Sequence, residues 1–367
     1  MELRTIHSRT EVPTPMLTKS EGPQIGVILI NWNGWADTIE CLDSLLQASE
    51  ARLDITVVDN GSSDDSVDRI RDWARTRVEK EQLLDVRVVN WGKSGWSSGA
   101  IPTGGKYPAL RIVRVWENTG FAKGANIGMR VAALSSPKLY WLLNNDTIVD
   151  PLCPSVALQA FGRDAALVCA TGPIVYSGDR STVWNCGGWL WYGGLRKYSS
   201  SNHPLASVPK SGVQRRTFVT GCSMFLRGDI LTRAGMLSED FFFGEEDIEF
   251  CLRLRRLKLK MGCIYGALVA HKVSASADRL AASDSNLGRA YVQYLNRLVH
   301  YKRYLSPLAW RLWKALQLAV AAITLLRVYR VGAPVLFRFV SNLWRQSERL
   351  VTVDRETFVA AIQERWK

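Results

Sequence analysis

The sequence contains no paired-cysteine motif. Its seven cysteines are widely scattered, odd in number and include no C-x-x-C spacing. This pattern argues against a disulfide framework and against a structural zinc site. It favours reduced thiols in a cytoplasmic setting.

Two common nucleotide-binding motifs are also missing. A dinucleotide-binding dehydrogenase carries G-x-G-x-x-G after its first strand, whereas residues 31–34 here are N-W-N-G. Residues 120–126 lack the spacing and the terminal Lys-Ser/Thr pair of a P-loop. Both absences disfavour oxidoreductases and P-loop ATPases.

Long apolar segments are scarce at both ends of the chain. Residues 1–24 mix charges, threonine and proline without an apolar core, so we predict a loose leader and no signal peptide. The longest charge-free run of the C-terminal region is 315–326. A bilayer-spanning helix needs roughly 20 apolar residues, so this run is predicted to be too short.

Acidic residues are fewer than basic ones. The chain has 47 Lys and Arg against 34 Asp and Glu, a net charge of +13, and no acidic residue from 285 to 347. Such an excess indicates a nucleic-acid, acidic-substrate or anionic-membrane partner, and says little about the fold.

Strand-like and helix-like patterns alternate from residue 25 onward, which predicts an α/β fold with a mostly parallel sheet covered by helices. Residues 91–108 interrupt the pattern with Gly, Ser and Pro and are predicted to be a surface insertion, either a plain loop or a lid. The predicted strands are 27–30, 55–58, 86–89, 112–116, 139–143, a pair within 218–226, and one ending at His271. The predicted helices are 35–46, 64–75, one starting near Gly120, and 247–256.

Residues 285–367 have a different character, with basic and aromatic residues at spacings that suit amphipathic helices. We favour a helical extension that lies in an anionic membrane interface. The alternative is a helical subdomain packed on the α/β domain or on a second subunit, which would make the protein a homo-oligomer. Nucleic-acid binding is not expected, because no recognition module is present and the basic residues lie among aliphatic ones.

Three apolar runs end on polar side chains. Leu142-Leu143 leads into residues 144–147 (N-N-D-T), residues 241–243 lead into the acids of 245–249, and residues 268–270 end at His271. Open α/β folds bind ligands at the carboxyl ends of their strands, so we expect these endings to converge. The Gly- and Trp-rich segment 169–218 is either a platform for a sugar face or a core patch.

Taken together, these segments resemble family 2 glycosyltransferases, especially the bacterial branch that includes rhamnosyltransferases. The resemblance implies the GT-A fold over residues 25–284, which is Rossmann-like with a mostly parallel mixed sheet flanked by helices. The motifs that carry it, in order, are INWNG (30–34), VVDNGS (57–62), ENTGFA (117–122), LNNDT (143–147), TGC (220–222), EDIE (246–249) and HKVS (271–274).

The resemblance also implies how the donor nucleotide is bound. Asp59, with the backbone around Ile30 and Asn31, would contact the pyrimidine base. A second group, carried by the following loop and helix, would lie against the nucleoside: Asn118, Gly120, Phe121 and Asn126.

The resemblance further implies a Mg²⁺ or Mn²⁺ ion shared with the diphosphate. Asn144-Asn145-Asp146 takes the place of the family's Asp-x-Asp motif, with Asp146 as a metal ligand and His271 completing the site. Oxygen ligands suit both ions, and an imidazole is acceptable to manganese. Asn144 departs from the pattern, since many relatives carry Asp there; the change either weakens metal binding or leaves Asn144 to contact the ribose.

Asp247 is predicted to be the catalytic base, with Glu246 as the second choice. An inverting transfer needs one carboxylate to take the proton of the acceptor hydroxyl. Crowding among the neighbouring acids should raise the proton affinity of some of them, and a helix amino end favours an anion. The simpler interpretation is a first turn enriched in acids for capping alone.

These expectations add up to an inverting glycosyltransferase of bacterial cell-surface polysaccharide synthesis. The preferred donor is dTDP-L-rhamnose, with UDP-linked hexoses or galactofuranose behind it, and the acceptor is a glycan or lipid-linked glycan. The expected location is cytoplasmic, on the inner face of the cell membrane. The alternative is an inactive carbohydrate-binding or scaffold protein on the same fold, with Asn144 as the first sign of decay, although the presence of Asp146, Asp247 and His271 argues against it.

Overall fold

The structure is a computed structural model that describes residues 24–48, 51–83, 85–92, 95–96, 107–191, 196–273 and 285–364. The predicted leader, apart from residue 24, and the central part of the predicted insertion at 91–108 lie outside these residues. All seven cysteines are free and buried.

Strands and helices alternate through the first half of the described chain. The strands are β1 (Ile25–Asn31), β2 (Leu53–Asn60), β3 (Asp85–Gly92), β4 (Gly95–Trp96), β5 (Ala109–Val115), β6 (Leu139–Asn144), β7 (Thr147–Val149), β8 (Leu167–Thr171), β9 (Ile174–Tyr176), β10 (Val183–Asn185), β11 (Gly188–Leu190), β12 (Arg196–Tyr198), β13 (Gly212–Arg216), β14 (Ser223–Arg227), β15 (Lys260–Tyr265) and β16 (Val269–His271). The helices are α1 (Trp35–Leu46), α2 (Ser66–Glu79), α3 (Phe121–Ala133), α4 (Cys153–Arg163), α5 (Ile230–Ala234), α6 (Glu246–Arg256), α7 (Ser285–Lys302), α8 (Pro307–Arg327), α9 (Ala333–Arg349) and α10 (Arg355–Gln363).

Ten strands form the main sheet, in the order β13-β15-β8-β14-β6-β1-β2-β5-β3-β4. The central strands β6, β1, β2, β5 and β3 are parallel, while β14 runs antiparallel between β6 and β8. The predicted α/β fold with a mixed, mostly parallel sheet is therefore confirmed. Apolar residues of β1 and β2 are buried on both faces, as covered parallel strands require. Helices α1, α2 and α4 contribute to the core on one face, and α3, α5 and α6 to the core on the other.

The strand register brings three strand ends to one edge of the sheet. Asn31 at the end of β1 pairs with Asp59 of β2, and Ile30 pairs with Asn144 of β6. The polar residues that follow these apolar strands therefore share one rim.

One strand prediction needs correction. Residues 218–226 do not form a strand pair, because β13 pairs with β15, and β14 lies between β6 and β8. The burial of the strands explains the difference: β14 is almost wholly buried and central, whereas β13 is mostly exposed and takes the edge. The predicted strand ending at His271 is confirmed as β16, and it belongs to a second sheet, ordered β10-β9-β16-β7.

The C-terminal helices α7–α10 share an apolar core that includes one residue of the α/β domain, Phe241. Backbone bonds join the two parts, since Phe242 N donates to Val353 O at 2.8 Å and Val353 N donates to Asp240 O at 2.9 Å. The region thus packs on the α/β domain.

Helix α8 is longer than its charge-free run indicated. Its 21 residues contain an 18-residue window with a mean hydropathy of 1.2, so by length and composition it is able to cross a membrane, although a third of that window is buried against the protein. The charge of Lys314 is accommodated within this apolar helix, because its side chain is fully buried, pairs with Glu348 and lies 3.8 Å from the Trp344 ring.

Candidate active site

The predicted metal ligands Asp146 and His271 lie side by side. Asp146 stands between β6 and β7, and His271 ends β16, where it pairs with Thr147 of β7. Their side chains are buried, with His271 Nε2 3.1 Å from Asp146 Oδ1. Lys272 N donates to Asp146 O at 3.0 Å, which fixes the two strand ends relative to each other.

The donor atoms of this pair fit a divalent cation. Asp146 Oδ1 is within ion-pair distance of His271 but accepts no aligned hydrogen bond from the described residues, although it is buried. One carboxylate and one imidazole suit Mn²⁺, and Mg²⁺ is commonly held by one or two carboxylates plus substrate phosphates. No group of three or more His, Cys, Asp or Glu side chains within the described residues is arranged to hold a metal.

The surroundings of His271 raise its proton affinity. Burial lowers the pKa of His271, but the neighbouring Cys222 and Asp146 outweigh it and raise that pKa to about 10. The surroundings of His271 therefore favour the protonated imidazole over the neutral form that a metal ligand requires.

The two asparagines before Asp146 have different environments. Asn144 Nδ2 lies 3.5 Å from His271 Nε2, so this side chain belongs to the same rim. Asn145 is buried and donates from Nδ2 to Thr38 Oγ1 at 2.9 Å. Asn145 therefore ties the motif to α1, and its donor is not directed at the Asp146–His271 pair.

A chain of buried hydrogen bonds continues from Thr38 to Asp59. Thr38 Oγ1 donates to Asn31 Oδ1 at 2.8 Å, and Asn31 Nδ2 donates to Asp59 Oδ1, also at 2.8 Å. Ser62 Oγ donates to the same Asp59 oxygen at 2.6 Å. Burial raises the pKa of Asp59 despite these donors. The network fixes the rim formed by β1, β2 and β6, where Asp59 was predicted to meet the base.

The loop predicted to lie against the nucleoside is held by Asn60. Its Nδ2 donates to Asn118 Oδ1 at 3.2 Å and to Gly120 O at 3.0 Å, while Thr119 Oγ1 donates to Asn60 Oδ1 at 2.8 Å. Gly120 has a φ of 85° and a ψ of 170°, and a Cβ there would lie 2.3 Å from Phe242 O. Only glycine fits this close approach.

The remaining predicted nucleoside contacts lie around α3. Asn126 is buried and uses its amide on the loop after α5, donating to Leu237 O at 2.9 Å and accepting from Leu237 N at 3.1 Å. Its hydrogen bonds are thus made within the protein. Phe121 begins α3 beside Gly221, and Ile30 packs against the same helix at Gly124.

Asp247 lies in a cavity of about 210 Å³. Its Oδ2 accepts from Gly221 N at 3.0 Å, and burial raises its pKa. The other residues of the wall are Trp184, Asn185, Arg196, Tyr198, Ser201, Phe218 and Thr220. The Trp184 ring meets the His271 ring edge-on, with centroids 4.8 Å apart. One aromatic side chain therefore separates the cavity from the predicted metal ligands.

The other acids near Asp247 have different surroundings. Burial and the neighbouring Asp247 charge raise the pKa of Glu246 to about 8, and its Oε2 has no hydrogen-bond partner among the described groups. Glu249 accepts a hydrogen bond from the Tyr304 hydroxyl at 2.8 Å and pairs with Arg253. Asp247 is the acid of this segment that lines the cavity.

Sequence reasoning missed several residues of the site. Asn60 and Ser62 lie inside a motif that was recognised, but only Asp59 was singled out from it. Trp184 was one of several candidate platform residues, and only its contact with His271 distinguishes it. Arg196 could not be recognised from the sequence, because it lies in an irregular segment and belongs to no motif or periodic pattern.

The fold is that of GT-A glycosyltransferases, and the rim of polar residues lies where the sequence predicted the donor nucleotide. The chain belongs to glycosyltransferase family 2, since the family model described as "Glycosyltransferase like family 2" matches residues 23–293. The predicted family is thereby confirmed, but the match does not identify the rhamnosyltransferase branch.

Solved structures share the fold at low sequence identity. GalNAc-T7, solved with UDP, GalNAc and Mn²⁺, is 14% identical with a TM-score of 0.52 over 77% of this chain; the chain spans only 48% of GalNAc-T7. The mannosyltransferase PcManGT from Pyrobaculum calidifontis, solved with GDP-Man and Mn²⁺, is 12% identical with a TM-score of 0.50, covering 93% of this chain and 86% of its own. A search of curated proteins found no match.

Proposed function

We propose that this glycosyltransferase is inverting and moves L-rhamnose from dTDP-L-rhamnose to a hydroxyl of a glycan or lipid-linked glycan in bacterial cell-surface polysaccharide synthesis. One observation carries the reaction type: the cavity that contains Asp247 shares Trp184 with the Asp146–His271 pair. A base and a phosphate-binding edge are thus adjacent. The choice of rhamnose is supported by the motif resemblance alone.

In the proposed reaction Asp247 takes the proton of the acceptor hydroxyl. The hydroxyl oxygen then attacks the anomeric carbon, the bond to the diphosphate breaks and the configuration inverts in a single displacement. The backbone N–H of Gly221 orients the carboxylate through Oδ2, which leaves the second oxygen to accept the proton. Trp184 offers an aromatic face to a sugar ring in the same cavity.

Asp146 and His271 would hold the divalent cation, which supplies positive charge to stabilise the departing diphosphate. Asp59 would accept a hydrogen bond from the base. The hydrogen bonds that Asn31 and Ser62 donate to Asp59 hold its carboxylate in place for this contact. The buried Asn31–Thr38 contact makes this edge rigid before the donor binds.

A thermal-shift screen of nucleotide-sugars with and without Mn²⁺ tests the donor. We expect the largest stabilisation with dTDP-L-rhamnose plus Mn²⁺, because ligands that bind only the folded state raise its stability. A larger shift with a UDP-linked hexose or UDP-galactofuranose would indicate that this sugar, and not rhamnose, is the one transferred. Stabilisation without turnover on any acceptor would favour the inactive carbohydrate-binding protein.

The membrane proposal is that α8 lies in an anionic interface on the cytoplasmic face of the cell membrane. One face of the helix exposes apolar side chains: Leu308, Leu312, Leu316, Val320 and Ile323. The opposite face packs in the helical core through Leu318, Ala321 and Leu325. A helix with one face so committed suits an interfacial position better than a span, and the lack of acids from 285 to 347 suits anionic lipid.

Co-sedimentation with vesicles of anionic and of zwitterionic lipid tests this proposal. Replacing Leu312 and Leu316 by serine should reduce binding to anionic vesicles. Leu257→Ser is the matched control, since Leu257 is exposed on the α/β domain, and it should bind like the wild type. Equal binding by both variants would refute the α8 interface, and a concentration-dependent dimer lost in the double variant would assign the face to a second subunit.

A further inference from the structure

The segment that delivers Asp247 has an unusual backbone. Gly244 and Glu245 have φ values of 94° and 72°, and α6 begins at the next residue. A non-glycine residue in the left-handed region carries strain, and consecutive residues there persist only when their surroundings hold them. The position of Asp247 therefore depends on whatever holds residues 243–245, the segment we call the acid loop.

Helix α7 of the C-terminal region holds the backbone of the acid loop. Asn296 Nδ2 donates to Phe243 O at 2.8 Å and to Gly244 O at 3.3 Å. Asn296 is buried, so these bonds form away from competing water. They satisfy carbonyl groups that the turn into α6 leaves without helical partners.

Three basic side chains lie within ion-pair distance of the Glu245 carboxylate, although Oε2 and the His300 ring nitrogens make no aligned hydrogen bond among the described residues. Arg297 Nε and Arg196 Nη1 lie 3.8 Å and 3.6 Å from Oε1, and His300 Nδ1 lies 3.7 Å from Oε2. Burial alone would raise the pKa of Glu245, but His300, Arg196 and Arg297 outweigh it and lower that pKa. Glu245 is therefore a buried anion, and a buried anion that lost its partners would be strongly destabilised.

Arg196 connects this cluster to the active site. It belongs to β12 and lines the same cavity as Asp247. Glu245 thus joins the C-terminal helix on one side to the cavity wall on the other. The acid loop, with Asp247 two residues beyond Glu245, is fixed between them.

We propose that Asn296, Arg297 and His300 are positioning residues for Asp247, so that the C-terminal helices complete the active site. The proposal rests on the proposed function for the role of Asp247. These three residues act through the acid loop and are not themselves placed at the reacting atoms.

Steady-state kinetics and hydrogen exchange on the full chain test the proposal. Asn296→Ala and Arg297→Gln should lower kcat by about tenfold or more, a barrier increase of at least ~1.4 kcal/mol, with little change in donor KM. Amide exchange in peptides covering 243–249 should become faster in both variants. Arg297→Lys should recover part of kcat, because it restores the charge near Glu245. Gln293→Ala is the matched control on the same helix, since Gln293 is exposed.

The outcomes separate this proposal from the proposed function. If the wild type turns over and both variants match Gln293→Ala in kcat and exchange, the positioning role is wrong. A parallel loss of kcat and donor binding would also overturn it, because it would indicate general damage. If the wild type transfers no sugar, the proposed function fails, while faster exchange at 243–249 would still show that α7 holds the acid loop. Should Asn296→Ala not fold, the comparison of Arg297→Gln with Arg297→Lys decides the matter.

Discussion

Replacing Asp247 by asparagine removes the proposed base while keeping the size and shape of its side chain. The amide oxygen can still accept the bond that Gly221 N makes to Oδ2 at 3.0 Å. Burial raises the pKa of Asp247, which means that the carboxylate is poorly solvated there. A neutral amide should therefore leave the free energy of unfolding unchanged or slightly higher.

The expected loss is confined to the chemical step. A positioned general base contributes about 10²- to 10⁴-fold to the rate, which corresponds to about 3 to 5 kcal/mol at 1.36 kcal/mol per tenfold. Donor affinity should stay close to that of the wild type, because the predicted nucleotide contacts at Asp59 and Asp146 are made by other elements. Thus kcat should fall by two to four orders of magnitude with an unchanged donor dissociation constant.

The assay pairs turnover with donor binding and thermal unfolding for Asp247→Asn and for Glu246→Gln. Glu246→Gln is the informative neighbour, since Glu246 is the second candidate base and is not part of the cavity wall. Near-normal turnover in Asp247→Asn would refute the assignment. A large loss in Glu246→Gln with a small one in Asp247→Asn would transfer the role to Glu246.

Three further predictions concern the metal ligands, the buried acid and the loop glycine. Asp146→Asn and His271→Ala should weaken Mn²⁺-dependent donor binding, as measured by titration calorimetry. The loss should exceed the ~10- to 100-fold that follows the removal of a hydrogen-bond partner of a metal ligand. Unchanged binding would exclude both residues as ligands. The pKa of Glu246 is raised from 4.5 to about 8. Between these two values the folded state keeps a proton that the unfolded state releases. The free energy of unfolding should therefore fall as the pH rises through this range, by up to about 1.4 kcal/mol per pH unit. Glu246→Gln should remove that slope in urea unfolding, and an unaltered slope would contradict the shift. Gly120→Ala should destabilise by at least ~1 to 3 kcal/mol from backbone strain alone, beyond the contact with Phe242 O, and a variant of wild-type stability would disprove the close approach.

Sequence reasoning succeeded where local pattern and burial agree. The bounds predicted for α1, 35–46, are those observed, and the α/β class followed from apolar runs separated by amphipathic helices. The convergence of Asp146 and His271 was also expected, because both end apolar strands. Strand ends concentrate polar residues wherever a covered sheet stops.

It failed where a partner distant in sequence decides the outcome. The placement of β14 between β6 and β8 depends on which buried edge accepts an antiparallel strand, and no local pattern specifies this. The charge-free run 315–326 was judged too short to cross a membrane because it stops at Lys314, whose charge pairs with Glu348 and is covered by Trp344, both on another helix. The sequence alone does not show which distant residue will pair with a given charge.

The sequence by itself determined the fold class, the family and the residue types of the rim, because apolar periodicity and short motifs are local properties. Only the tertiary structure decided which acid lines the cavity, which asparagine is used inside the fold, and how Glu245 connects α7 to Arg196. These facts depend on contacts between residues tens to hundreds of positions apart, as with the 127 positions between Asn144 and His271. Such contacts arise from packing the whole chain, so the site's geometry is a property of the folded protein.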